Sequence, residues 1–297
     1  MKILVSGSHG LVGKALINAL ETDGHEIYRL VRHAPDSSKE IEWSPERYSI
    51  AISMIEGFDA VFHLAGESIA SGRWTDDKKL KIRESRTKGT KLLSDALANL
   101  RHPPKMLISA SAIGYYGNRG DEVLTEASEP GSDFLSEVCV EWEKATEHAT
   151  TMGIRVVNTR FGIILDKEGG ALAKMLPPFR MGIGGRIGDG KQWMSWIALN
   201  DVIGALQFVL TNESIKRPVN FVAPNPVTNA EFTKALGQAL SRPTFFPIPA
   251  FGVRLAFGEM ADALLLSSQR VAPKTLQDAQ YQFRYPELRN FLKKILV

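Results

Sequence analysis

Three glycines set between a strand and a helix, all within the first thirteen residues, constrain this chain more than any other feature. Lys2–Ser6 is an apolar run with strand character. Gly7-Ser8-His9-Gly10-Leu11-Val12-Gly13 follows it, and a helical pattern opens at Leu11. In that setting each glycine has a physical reason. Gly7 permits the tight turn, Gly10 lets backbone approach a pyrophosphate, and Gly13 lets helix and strand pack closely. The helix N-terminus then presents unpaired N–H groups and a positive dipole end to phosphates. A glycine trio alone also occurs in plain turns, and the strand before and helix after are what make it a dinucleotide-binding signature.

The rest of the chain agrees with that start. Leu11, Val12, Ala15, Leu16, Ala19 and Leu20 recur along one face of a helix, and Gly24 stops it. Further strand-like runs lie at Glu26–Val31, Ala60–Ala65, Lys105–Ala110 and Gly153–Arg160, alternating with helical stretches. Alternation of this kind builds βαβ units and a parallel sheet. The expected fold class is therefore α/β, a Rossmann-type doubly wound parallel sheet over residues 1–165. A smaller C-terminal substrate or cap region is expected over 166–297, some of whose elements can return to the sheet. Residues 166–193 are glycine-rich, a helix is expected near Leu199–Leu210, a strand near Pro218–Val222, and prolines punctuate Pro243–Pro249.

Composition excludes several function classes. The chain has 297 residues, 44% of them hydrophobic, which is enough for a sizeable core, and its net charge of +3 is too mild to argue for nucleic acid. One cysteine, Cys139, rules out an internal disulfide and any multi-cysteine metal cluster. Six histidines are scattered without metal-ligand spacing, so no metal is expected. No signal-peptide pattern and no stretch of about 18 apolar residues is present. The expectation is a cytoplasmic protein with no membrane or nucleic-acid partner.

The second strand discriminates between cofactors. It ends Leu30-Val31-Arg32-His33, with no carboxylate where one would grip a ribose 2′-hydroxyl. Arg32 suits a 2′-phosphate through bidentate charge-assisted hydrogen bonds, so NADP is expected over NAD. Asp36 is the weaker rival on the NAD side, and a solvated strand-end arginine is the plainer alternative.

Further motifs extend along the whole chain: His63-Leu64-Ala65-Gly66-Glu67, Arg73-Trp74, Glu84-Ser85-Arg86, Ser109–Gly117, Gly169-Gly170, Met175–Arg180, Gly184–Gly190, Ser195-Trp196-Ile197, Asn225–Phe232, Gly258-Glu259, Gln269-Arg270-Val271 and Arg284-Tyr285-Pro286. Together with the glycine loop, the chain resembles the extended short-chain dehydrogenase/reductase superfamily, and within it the atypical YfcH-type epimerase-family proteins. The resemblance implies NADP lying across the carboxyl ends of the strands. Position by position it implies contacts at Gly7, Ser8, His9, Gly10, Leu11 and Val12, at Val31 and Arg32, at Leu64 and Ala65, and at Lys81, Arg86 and Glu143. Seven Lys/Arg against three Asp/Glu between Thr75 and Lys91 give +4 there, in keeping with Lys81 and Arg86, though a solvated helix face reads the same way. One motif departs: Ala198 stands where the family often has histidine after Ser-Trp-Ile.

The superfamily's Tyr-x-x-x-Lys dyad, in which lysine lowers the tyrosine's pKa for acid/base work beside the nicotinamide, is missing. None of the six tyrosines is followed four residues later by lysine, and Cys139 stands where that lysine is expected. The candidate catalytic residues are Ser111 (or Ser109) to hold a substrate oxygen and Tyr115 and Tyr116 as proton donors; packing roles for these are the alternative. Arg180, Arg186, Gln192, Trp193 and Trp196 are candidates for binding a polar or anionic ligand, with Arg270 and Lys274 facing the same cleft. The expected function is an NADP-dependent epimerase or oxidoreductase acting on an unidentified sugar-like or carbonyl small molecule. The alternative is a non-catalytic NADP(H)-binding scaffold or regulatory protein. A homodimer is the assembly that the resemblance suggests.

Overall fold

The computed structural model describes residues 1–296. Among these residues the strands, in chain order, are β1 (Lys2–Ser6), β2 (Glu26–Val31), β3 (Glu40–Ser44), β4 (Ser49–Ile50), β5 (Ala60–His63), β6 (Met106–Ala112), β7 (Val123–Leu124), β8 (Arg155–Phe161), β9 (Ile163–Leu165), β10 (Trp193–Met194), β11 (Trp196–Ala198), β12 (Val219–Phe221), β13 (Val227–Thr228) and β14 (Arg270–Val271). The α-helices are α1 (Leu11–Thr22), α2 (Asp76–Ala98), α3 (Phe134–Lys144), α4 (Glu147–Thr151), α5 (Gly170–Arg180), α6 (Leu199–Thr211), α7 (Asn229–Leu240), α8 (Ala250–Phe257), α9 (Lys274–Asp278) and α10 (Leu288–Leu296).

Eight strands form one sheet in the order β12-β8-β6-β5-β1-β2-β3-β4, parallel throughout except for the edge pair β3–β4. This is the doubly wound order, and the chain's direction of travel reverses between β1 and β5. Alternation along β1 divides the core. Ile3 and Val5 pack with α1 and α6, whereas Leu4 packs on the opposite face with Leu92, Leu93 and Leu97 of α2. A parallel sheet covered on both faces needs near-continuous apolar strands, and β1, β5 and β6 provide them.

The expected runs at 2–6, 26–31 and 218–222 and the helix near 199–210 are present within a residue or two. Among the elements that escaped the periodicity reading are β3, β4 and the full 23-residue length of α2. Strand β3 reads Glu-Ile-Glu-Trp-Ser and is half polar because it lies near the sheet edge. Helix α2 is charged enough along its first half that its apolar stripe emerges only from Ile82 onward.

Parts of the chain after residue 165 return to the main sheet and its core. Helix α6 packs on α1, β12 pairs with β8, and Leu276 of α9 enters the same core. The remaining elements gather around a third core in which Leu172 and Leu176 of α5, Phe232 and Leu236 of α7 and Phe291 and Leu292 of α10 surround Trp196. Among the described residues no helix is long and apolar enough to cross a membrane.

Candidate functional site

The glycine loop leaves β1 at the carboxyl edge of the sheet, beside the point where the strand order reverses. Gly7 has φ +73°, and a Cβ there would lie 2.6 Å from the carbonyl carbon of Leu64. A Cβ on Gly13 would overlap the Gly7 carbonyl oxygen. The loop therefore lies directly against the tip of β5 and the first turn of α1, with no space for a methyl group at either position. Gly10 closes the turn by donating its N–H to the Gly7 carbonyl at 3.0 Å, and it begins α1 with no side-chain cap. An uncapped N-terminus keeps its first N–H groups for an anion. Ser8 is buried, whereas His9 and Gly10 are exposed and Leu11 and Val12 are half-buried. Leu11 also meets Gly169 and Gly170, so the start of α5 overhangs the loop.

Other sequence-predicted residues converge on the same edge. Leu64 and Ala65 touch Gly7. Val31 is buried at the end of β2; Arg32 beside it is exposed, and its ion-pair partner among the described residues is the exposed Glu46, at 3.7 Å. The pKa of Glu67 is held down by the Lys78 ammonium 2.5 Å away and further by the Arg32 and Lys81 charges. Arg86 lies under Gly66, stacked 5.0 Å over Trp142 and donating to the Ile82 carbonyl at 3.1 Å. Burial lowers its pKa, opposed by the more distant Cys139 and Glu67. No carboxylate pairs with it among the described residues. Nearby, His33, Asp36 and Glu40 bring ligating atoms within 4.8 Å of one another on the exposed segment that follows β2, a juxtaposition that spacing alone did not reveal. Asp36 N–H donates to Glu40 at 2.8 Å, so the cluster ties down the segment itself.

A second set of residues lies at the ends of β6 and β8. Ser111 donates to Glu143 Oε1 at 2.7 Å. Arg160 grips the same carboxylate with two bonds, Nε to Oε1 at 2.7 Å and Nη2 to Oε2 at 2.8 Å. Its third arm donates to the Tyr116 hydroxyl at 2.9 Å, and Tyr116 donates in turn to Asn220 Oδ1 at 2.7 Å. The guanidinium carbon stands 3.4 Å from the centroid of the Tyr115 ring. Arg160 is 2% exposed and Glu143 12%. Burial by itself would lower the arginine's pKa, but the hydrogen-bonded carboxylate more than offsets that and raises it.

This network separates the candidates. Ser111 belongs to it; Ser109 is buried in the sheet, and among the described residues its hydroxyl has no hydrogen-bond partner. Tyr115 is half-buried with the cation on its face. Tyr116 is fully buried, both its hydroxyl partners are internal, and burial pushes its pKa up to about 12. Glu143 holds Ser111 and Arg160. Arg160 and Asn220 were missed from sequence, although a charged residue ending the strand-like run Gly153–Arg160 is itself a sign that a buried partner exists.

The dyad positions face the same turn. Leu135, four residues before Cys139, and Cys139 both lie against Gly114, at 3.4 and 3.8 Å from where its Cβ would be. Both are buried, and burial pushes the Cys139 thiol up to about 12, which leaves it inert as a nucleophile or proton carrier. On the substrate side, Trp196 is core, stacked on Phe291 with its Nε1 bonded to the Asn225 carbonyl. Gln192 is buried and spends its amide on the Ile187 and Leu265 carbonyls. Lys274 is exposed and paired with Asp278. Arg180 and Arg186 are exposed, and Trp193 and Arg270 are half-buried against each other.

Residues 3–223, the sheet and its glycine loop, match the model of the NAD dependent epimerase/dehydratase family. The chain belongs to that family. Residues 248–295 match a further domain family of unknown function. An epimerase family protein of Mycobacterium bovis is 44% identical over 283 residues, covering 95% of this chain and 93% of its own. The human epimerase family protein SDR39U1, solved with NADPH, superposes with a TM-score of 0.91 at 34% identity, covering 100% of this chain and 99% of that one. A nucleoside-diphosphate sugar epimerase of Corynebacterium glutamicum superposes at 0.81 with 39% identity, and this family member spans 58% of its length.

Proposed function

We propose that the chain is an NADP(H)-binding enzyme that acts on a carbonyl or sugar-like substrate without a Tyr/Lys dyad. The observation that carries this reading is the cradle at Gly7 and Gly13, where even a methyl group would collide with backbone at the carboxyl edge of β1 and β5. The NADPH complex of the human relative supports it. Gly7 to Val12 hold the pyrophosphate, Val31 and Arg32 the adenosine end, and Leu64 and Ala65 the segment crossing β5. Lys81 and Arg86 supply positive charge along the flank. A 3.7 Å surface contact to Glu46 leaves Arg32 available for a 2′-phosphate.

NADP, when bound, supplies or accepts the hydride. This chain's own residues orient the substrate and exchange its proton. Ser111 positions the substrate oxygen, its hydroxyl aimed by Glu143. Tyr115, the half-buried tyrosine, is the proton donor. Tyr116 and Asn220 hold Arg160 in place, and Arg160 fixes both Glu143 and the Tyr115 ring.

A second reading, a non-catalytic NADP(H)-responsive scaffold, draws support from the buried Leu135 and the inert thiol of Cys139 at the dyad positions. Calorimetric titration with NADPH and NADH tests the cofactor assignment. A charge-assisted contact of about 1.5–3 kcal/mol gives a roughly ten- to hundredfold preference for NADPH, lost in Arg32→Ala. Absence of binding by either nucleotide refutes both readings. Cofactor oxidation against carbonyl substrates, abolished in Ser111→Ala and Tyr115→Phe, separates the enzyme from the scaffold.

A further inference from the structure

The two-stranded ribbon formed by β7 and β14 has two different faces. Its register pairs Val123 with Arg270 and Leu124 with Val271. Leu124 and Val271 point inward and pack on Ile113, Tyr116 and Val222, beneath the Ser111 network. Val123 and Arg270 lie on the other side, where with Trp193, Pro224, Asn225, Pro226 and the ribbon residues Val271 and Ala272 they line an open cavity of about 240 Å3. The ribbon thus stands between this cavity and Tyr116.

The walls are fixed before any ligand arrives. Trp193 belongs to the β10–β13 pair, donates its Nε1–H to Asp121 at 2.8 Å and is anchored through its backbone N–H to Ser268. Asn225 is held by Glu287 at 2.7 Å. Arg270 lies with its guanidinium carbon 4.3 Å from the indole centroid. Stacking orients the fork and costs it none of its N–H donors. Among the described residues none of those donors has an acceptor. An oriented, half-buried guanidinium with open donors suits one carboxylate in bidentate geometry. Val123, the indole and the two prolines add apolar surface beside the polar atoms of the lining. Asp121 on Trp193 and Glu287 on Asn225 bring two carboxylates next to lining residues, which disfavours phosphate, the more highly charged anion.

We propose that this cavity binds a small monocarboxylate with an apolar body, at a site distinct from the dinucleotide groove. A cavity of about 150 Å3 already accepts benzene, so benzoate matches the available volume. The test is titration of the full chain with benzoate, its neutral isostere benzamide and inorganic phosphate, followed by tryptophan fluorescence and calorimetry. Benzoate is expected to bind saturably at one site. Benzamide, phosphate and the Arg270→Gln variant are each expected to be at least about tenfold weaker. Arg270→Lys keeps the charge, loses the fork and is expected to fall between. NADPH affinity is expected to be unchanged in both variants. Three results overturn the proposal: benzamide binding as tightly as benzoate, no saturation up to about 10 mM, or competition between benzoate and NADPH. If Arg270→Gln does not fold, the comparison of benzoate with benzamide on the unaltered chain decides alone.

Discussion

Removing Arg160 tests the buried network directly. Arg160→Met deletes the charge but keeps most of the side chain's volume. It leaves the Glu143 carboxylate, 12% exposed, with the Ser111 hydroxyl as its remaining contact in the network. Breaking one side of a buried pair in this way costs about 3–5 kcal/mol, because the surviving charge has lost both water and partner. At roughly 2 °C per kcal/mol for a chain of this size, the melting temperature falls by about 6–10 °C. Glu143→Gln is expected to cost a similar amount, since it strands the guanidinium. The double variant, Arg160→Met with Glu143→Gln, removes both charges, and the amide oxygen introduced at position 143 still accepts from Ser111. Its cost is therefore expected to be at least about 2 kcal/mol smaller than the sum of the single costs. Thermal and urea unfolding of all four proteins completes the cycle. Additive costs would show that the two side chains do not stabilise each other, and the account of Ser111, Tyr115 and Tyr116 built on their pairing would fail with it.

Further expectations follow from other sites. Gly13→Ala drives a methyl into the Gly7 carbonyl, and is expected to destabilise by about 1–3 kcal/mol and to abolish NADPH binding measured by calorimetry. His63 is fully buried between Ser6 and Thr90, and burial lowers its pKa from 6.5 to about 4. The unfolded chain therefore takes up a proton below pH 6.5 that the folded chain refuses. Stability is expected to drop by up to about 3 kcal/mol as pH falls from about 6.5 to about 4, and urea unfolding of His63→Gln should lack that part of the pH dependence. Thr228 caps α7 in a reciprocal box with Glu231, so Thr228→Ala is expected to lose about 1 kcal/mol by the same unfolding measurement.

The Rossmann core was legible because its signals are local. A strand, three glycines and an amphipathic helix occupy consecutive residues, and the alternation that follows sets the class of sheet. Arg32 was singled out because no carboxylate ends the second strand, whereas Val31, Leu64 and Ala65 came with the family resemblance; doubly wound sheets bring such strand ends together. The missing dyad was also visible, because it is a spacing along one helix. Tertiary structure alone decided which of these residues touch. Ser111, Glu143, Arg160 and Asn220 come from four elements far apart in the chain, and only the β6–β8–β12 pairing and the docking of α3 bring their polar atoms within hydrogen-bond reach. Neighbouring Tyr115 and Tyr116 look alike in sequence, yet one is half-buried and the other is sealed in the core. Burial depends on what packs from elsewhere in the chain, and that is a property no local pattern carries.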